Sequence, residues 1–69
     1  MDELITTAEV AKILKCNRNT VYDFIKAGLL PRMKFGVHNK CSRLAVDEFI
    51  KKYQNYDLSD PFNIKLITN

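Results

Sequence analysis

The densest run of hydrogen-bonding side chains in this chain is Asn17-Arg18-Asn19-Thr20, followed by Tyr22 and Lys26. These residue types suit recognition rather than bond breaking. An arginine fork at position 18 matches the guanine edge or grips a phosphate, and Asn19 offers the paired donor and acceptor that fit adenine. Thr20 suits a phosphate or a thymine methyl, and the Tyr22 hydroxyl a phosphate. A second group, Lys34, His38, Asn39, Lys40 and Arg43, has the composition of a backbone grip, which fixes register without reading sequence. Lys12 and Lys15 lie upstream and can touch the same backbone.

Catalysis finds no foothold. There is no nucleophile–base pair, no pair of carboxylates on an apolar cleft face and no phosphate-cradling glycine loop. Cys16 and Cys41 are far apart, and the single His38 cannot complete a zinc pattern with them. Both thiols read as small apolar residues, reduced in a cytoplasmic chain. The expectation is a non-enzyme with no metal, no cofactor and no small-molecule ligand.

Two short helices joined by a tight turn must present the first group. Thr6-Thr7-Ala8-Glu9 fits a capping box, with Thr6 and Glu9 each satisfying the other's backbone amide. The chain thus enters a helix directly from its N-terminus and stays helical to about Lys15, with Val10, Ala11, Ile13 and Leu14 on its apolar side. Small Ala11 allows close crossing by the next helix. Asn17 is a good N-cap for that helix, Val21, Phe24 and Ile25 form its inner face, and Gly28 ends it. Arg18, Asn19, Tyr22, Asp23 and Lys26 fall elsewhere. Asp23 is unfavourable near phosphate and belongs at the edge of any such contact.

The second group needs a hairpin. Leu30-Pro31 is extended, Arg32-Met33-Lys34-Phe35 alternates as a half-buried strand, and Gly36 to Asn39 makes the turn. Lys40 and Cys41 return as a second strand. Ser42 caps a third helix of roughly residues 43–53, in which Leu44, Val46, Phe49, Ile50 and Tyr53 pack inward. Asp60-Pro61 breaks any helix, and residues 62–67 suit an extended strand that either covers the core or meets a partner. The expected fold is mainly α with a small β-hairpin, a winged helix-turn-helix. It divides into a domain over 1–54 and a tail over 55–69 that is an extra strand or a docking segment.

Size and charge agree with binding. A chain of 69 residues is one domain, with a core worth about 3–5 kcal/mol net and little length to spare for a cleft. Hydrophobic content of 46% and charged content of 28% are ordinary for a soluble protein. No apolar run is long enough to span a bilayer, and the acidic start is not a signal peptide, so the expectation is cytoplasmic, without membrane contact. The net charge of +3 is unevenly spread. Residues 12–43 hold Lys12, Lys15, Arg18, Lys26, Arg32, Lys34, Lys40 and Arg43 against Asp23 alone, +7, whereas 1–11 carry −3 and 44–69 carry −1. The positive charge sits on the segment that would face a phosphate backbone.

From Leu4 to Ile50 the chain resembles the excisionase-type, MerR-like winged helix-turn-helix family. The resemblance rests on Thr6-Thr7-Ala8-Glu9-Val10-Ala11, Leu14, Asn17-Arg18-Asn19-Thr20-Val21-Tyr22, Ile25-Lys26-Ala27-Gly28, Leu30-Pro31, Phe35-Gly36 and Asp47-Glu48-Phe49-Ile50. Lys15 stands where the family usually has glycine and Ser42 where it has proline, and the tail has no counterpart. The resemblance implies double-stranded DNA as partner, with the second helix in the major groove and the hairpin along the backbone or in the minor groove. It also implies an excisionase: a recombination directionality factor that bends DNA beside an attachment site, several copies together, and helps an integrase excise. A small repressor of a mobile element is the alternative, and an adaptor acting through the tail is a third.

Overall fold

The computed structural model describes residues 2–67. Met1, Thr68 and Asn69, the outer ends of the two expected segments, lie outside the described residues. The order is β1 (Leu4–Thr6), α1 (Thr7–Leu14), α2 (Arg18–Lys26), β2 (Met33–Phe35), β3 (His38–Ser42), α3 (Arg43–Lys52), β4 (Tyr56–Asp57) and β5 (Lys65–Leu66). Three helices and a small antiparallel sheet make the winged helix-turn-helix architecture expected from the sequence.

Local chemistry sets the helix ends. Both halves of the capping box form: the Glu9 amide donates to Thr6 Oγ1 at 3.1 Å and the Thr6 amide to Glu9 Oε1 at 3.0 Å. Glu9 is therefore a capping residue. At the other end Lys15 adopts left-handed φ 57, ψ 43. Its amide and that of Cys16 both return to the Ala11 carbonyl, so the non-glycine residue accepts backbone strain to make the turn. Asn17 caps α2, its Oδ1 accepting from the Thr20 amide at 2.9 Å. Gly28, at φ +79, closes α2: its amide bonds to the Ile25 carbonyl and that of Leu29 to the Phe24 carbonyl, the paired return of a Schellman motif. Ser42 caps α3 through the Ala45 amide.

The sheet is larger than the expected hairpin. Its order is β1-β3-β2, with Ile5 opposite Cys41 and Phe35 opposite His38. The chain does not enter its first helix directly; a strand precedes it. Leu4-Ile5-Thr6 is too short to alternate visibly, and it becomes a strand only because β3 lies beside it. The turn is Gly36-Val37 alone, so Asn39 belongs to β3 rather than to the turn, and β3 runs five residues. Strand β2 is exposed on both faces rather than half-buried, because nothing packs over a hairpin that projects past the core.

Ile5, Val10, Ala11, Val21, Phe24, Leu30, Cys41, Val46 and Phe49 form the core. Of the residues assigned to the inner face of α3, Val46 and Phe49 are buried and Tyr53 packs at the margin. Leu44 and Ile50 are exposed, since a helix on a core this small buries only a narrow stripe. Cys16 is only partly buried, unlike Cys41. Burial raises both thiols above their ordinary value, which disfavours the reactive thiolate.

Beyond α3 the aromatic contacts continue from Phe24–Phe49 at 5.2 Å through Phe49–Tyr53 at 5.0 Å to Tyr53–Tyr56 at 5.5 Å. Asn55, at φ 67, turns the chain into the β4–β5 hairpin. The extended strand expected over residues 62–67 shrinks to Lys65–Leu66. Phe62 instead falls in a turn built on Asp60, whose carboxylate accepts the Phe62 amide.

Candidate nucleic-acid interface

Capping and burial together fix the outward side of α2. With Val21 and Phe24 inside, Arg18, Asn19 and Lys26 are exposed, and Thr20, Tyr22 and Asp23 are half-exposed. The first turn carries no carboxylate, so the positive helix end and Arg18 add in one place. Asn17 and Thr20 are joined to each other, the Thr20 hydroxyl also donating to Asn17 Oδ1 at 3.0 Å. Their first role is to start the helix.

Tyr22 links the two helices. Its hydroxyl shares a 3.3 Å hydrogen bond with that of buried Thr7 on α1. It also accepts from an Arg18 guanidinium nitrogen at 3.0 Å, with the guanidinium carbon 5.9 Å from the tyrosine ring centre. The bonds to Thr7 and to Arg18 hold the phenol below its ordinary pKa. The hydroxyl assigned to a phosphate is thus already engaged, and it fixes where the Arg18 fork points.

Two concavities separate α2 from the hairpin. One, of about 290 Å³, lies between the α1 start, Arg18 and Tyr22 on α2, and Val37, His38, Asn39 and Lys40. The other, of about 320 Å³, is walled by Asn19, Tyr22, Asp23 and Lys26 on one side and Arg32 and Asn39 on the other. Seven residues singled out in the sequence, Arg18, Asn19, Tyr22, Lys26, His38, Asn39 and Lys40, therefore meet on one face. Asp23 faces the second concavity as well.

The remaining candidates stand apart from both concavities. Lys12 and Lys15 are exposed on and just after α1, and Lys34 is exposed on β2. Arg43 is half-buried at the start of α3 and pairs with Asp47 at 2.5 Å, so a carboxylate already occupies the group assigned to a phosphate. It is the one side-chain ion pair among the described residues. Sequence reasoning missed Arg32, which donates to Asn39 Oδ1 at 3.4 Å across the hairpin. The position was visible as a cation opening a strand, but its cross-strand partner was not. Among the described residues no group of His, Cys, Asp and Glu is placed to hold a metal, and no helix is long and apolar enough to cross a membrane.

The model of a family described as a helix-turn-helix domain matches residues 4–54, and the chain belongs to that family, a DNA-binding one. Neither curated proteins nor solved structures offer a match to the chain.

Proposed function

We propose that this helix-turn-helix protein grips duplex DNA with the face shared by α2 and the β2–β3 hairpin, and that it serves as an excisionase of a phage or other mobile element. One observation carries the DNA-binding face: Arg18, Asn19 and Lys26 on α2 and His38, Asn39 and Lys40 on the hairpin line two concavities that share Tyr22 and Asn39. On this reading the N-terminal half of α2 enters the major groove. Arg18 and Asn19 read base edges there, while Lys40, His38 and Lys34 follow the neighbouring backbone. Residues 1–54 are the binding unit and 55–69 an appendage to it.

The excisionase role is favoured by the excisionase-type, MerR-like pattern of the matched segment, in the N-R-N-T-V-Y run and the later I-K-A-G-L-L-P. Copies bind side by side in the cytoplasm, bend the DNA beside an attachment site and help an integrase run toward excision. The test is a footprint of the purified protein on the DNA flanking its own gene, with excess random competitor. Several protected sites in helical phase beside an attachment site support the excisionase. A single site over a promoter makes the protein a repressor, and no protection at low salt removes the DNA-binding reading.

Exposed Phe62, Leu66 and Ile67 favour a second role for the tail, docking onto a protein partner. A chain cut before Asn55 that still binds DNA but no longer supports excision would bear this out. Unfolding would assign the tail to the core.

A further inference from the structure

The β2–β3 hairpin is apolar where an exposed hairpin is ordinarily polar. Its two-residue turn begins with Gly36 at φ +62, as a primed turn demands. The second position, suited to a small polar residue, holds Val37, which is 88% exposed. Just behind it Phe35 is 49% and Met33 52% exposed, on one face of β2 by alternation. A β-branched residue at a solvated tip, two positions from an exposed aromatic ring, buries almost none of its surface in the fold.

The surroundings select what would cover this tip. Lys34 lies between the two exposed apolar residues of β2, His38 stands opposite Phe35 and Lys40 opposite Met33, and Arg32 precedes the strand. Cationic shoulders around an apolar point fit a polyanion with an apolar interior, which is the backbone and base stack of a duplex. Val37 also borders the concavity that Arg18 and Tyr22 wall from the other side. With α2 in a major groove, the tip stands beside it, and the adjacent minor groove is the next opening along the duplex. Proteins that bend DNA from that groove insert apolar side chains between base steps.

We propose that Val37, backed by Phe35, is a wedge that enters the minor groove beside the α2 site and unstacks one base step, kinking the duplex. The inference rests on the DNA-binding reading and gives it a bending device. Lys34 and Lys40 hold the flanking phosphates, and the wedge supplies the deformation. Wedges of this kind kink DNA by about 20–90°.

The test uses the full chain at low salt with a short A·T-rich duplex. The duplex carries 2-aminopurine at successive steps and an energy-transfer pair at its ends. Val37→Asn keeps a residue the turn favours, Phe35→Ser removes the backing ring, and Lys34→Ala serves as an electrostatic control. Melting curves should show all three folded, since none of these side chains is in the core. At saturation the wild type should raise 2-aminopurine fluorescence at one step and bring the duplex ends together. Val37→Asn and Phe35→Ser should bind yet lose the fluorescence rise and most of the bend, while Lys34→Ala should weaken binding but bend fully once saturated. Wild-type saturation without unstacking would overturn the wedge and leave DNA binding standing, as would Val37→Asn and Phe35→Ser variants that both bend like the wild type. Failure of the wild type to bind would remove the DNA-binding reading and the wedge with it.

Discussion

Arg18 is aimed by a hydroxyl one helical turn further along α2, and that hydroxyl is anchored in turn by Thr7 on α1. A fork held in one direction loses less freedom on meeting a base edge, so discrimination should depend on the anchor as well as on the arginine. Arg18→Ala should lower affinity for the footprinted site far more than for random DNA, whereas Lys40→Ala should weaken both about equally. Competition binding measures the two ratios, and equal losses for Arg18→Ala would sink its base-reading role. Tyr22→Phe keeps the ring and frees the fork. It should erode the specific-to-random ratio in the same assay, and an unchanged ratio would reduce Tyr22 to packing. The polar run was legible in the sequence because it is local: an N-cap, a helical period and an apolar face decide which side chains point out. The Thr7–Tyr22 bond was not, since it joins residues on different helices and no spacing rule records it.

The helices were legible nearly to the residue, for the same reason. The capping box, Asn17, Gly28 and Ser42 are each read within a few positions, and each does its expected work. Lys15 is the informative exception, forced into the left-handed region by the tight turn between α1 and α2. Lys15→Gly should relieve about 1 kcal/mol, partly offset by the added freedom of the unfolded chain. Thermal melting should then rise by up to about 4–8 °C, and a fall in melting temperature would show that Lys15 carries no net strain. Strand β1 and its neighbour Asp2 were illegible, because both depend on contacts with residues some forty positions on. Asp2 accepts from the Ser42 hydroxyl and the Leu44 amide at the start of α3, and those bonds hold its carboxyl below the ordinary range. A carboxyl depressed in the folded state stabilises above its unfolded pKa, and that stabilisation disappears as pH falls through the folded pKa. Asp2→Asn should therefore lower the melting temperature at neutral pH and flatten its decline in acid. An acid limb as steep as the wild type's would rule out this cap.

Across the whole molecule, most of the cations and most of the residues that line the concavities between α2 and the hairpin belong to one stretch, residues 12–43, while every carboxylate but Asp23 lies outside it, before α2 or in α3 and the tail. That division was legible from charge counting alone. The exposure of β2 and the shape of the tail were not, because periodicity shows which residues share a face but not whether anything packs against it. On the reading proposed above, one face, α2 with the hairpin, meets DNA. Amide chemical shifts of the isotope-labelled chain, titrated with the footprinted duplex, test it most directly. The predicted result is movement concentrated in residues 17–22 and 34–40, with the outer side of α3 and the β4–β5 hairpin still. Shifts concentrated in α3 or the β4–β5 hairpin, with α2 unmoved, would place the DNA contact on another face.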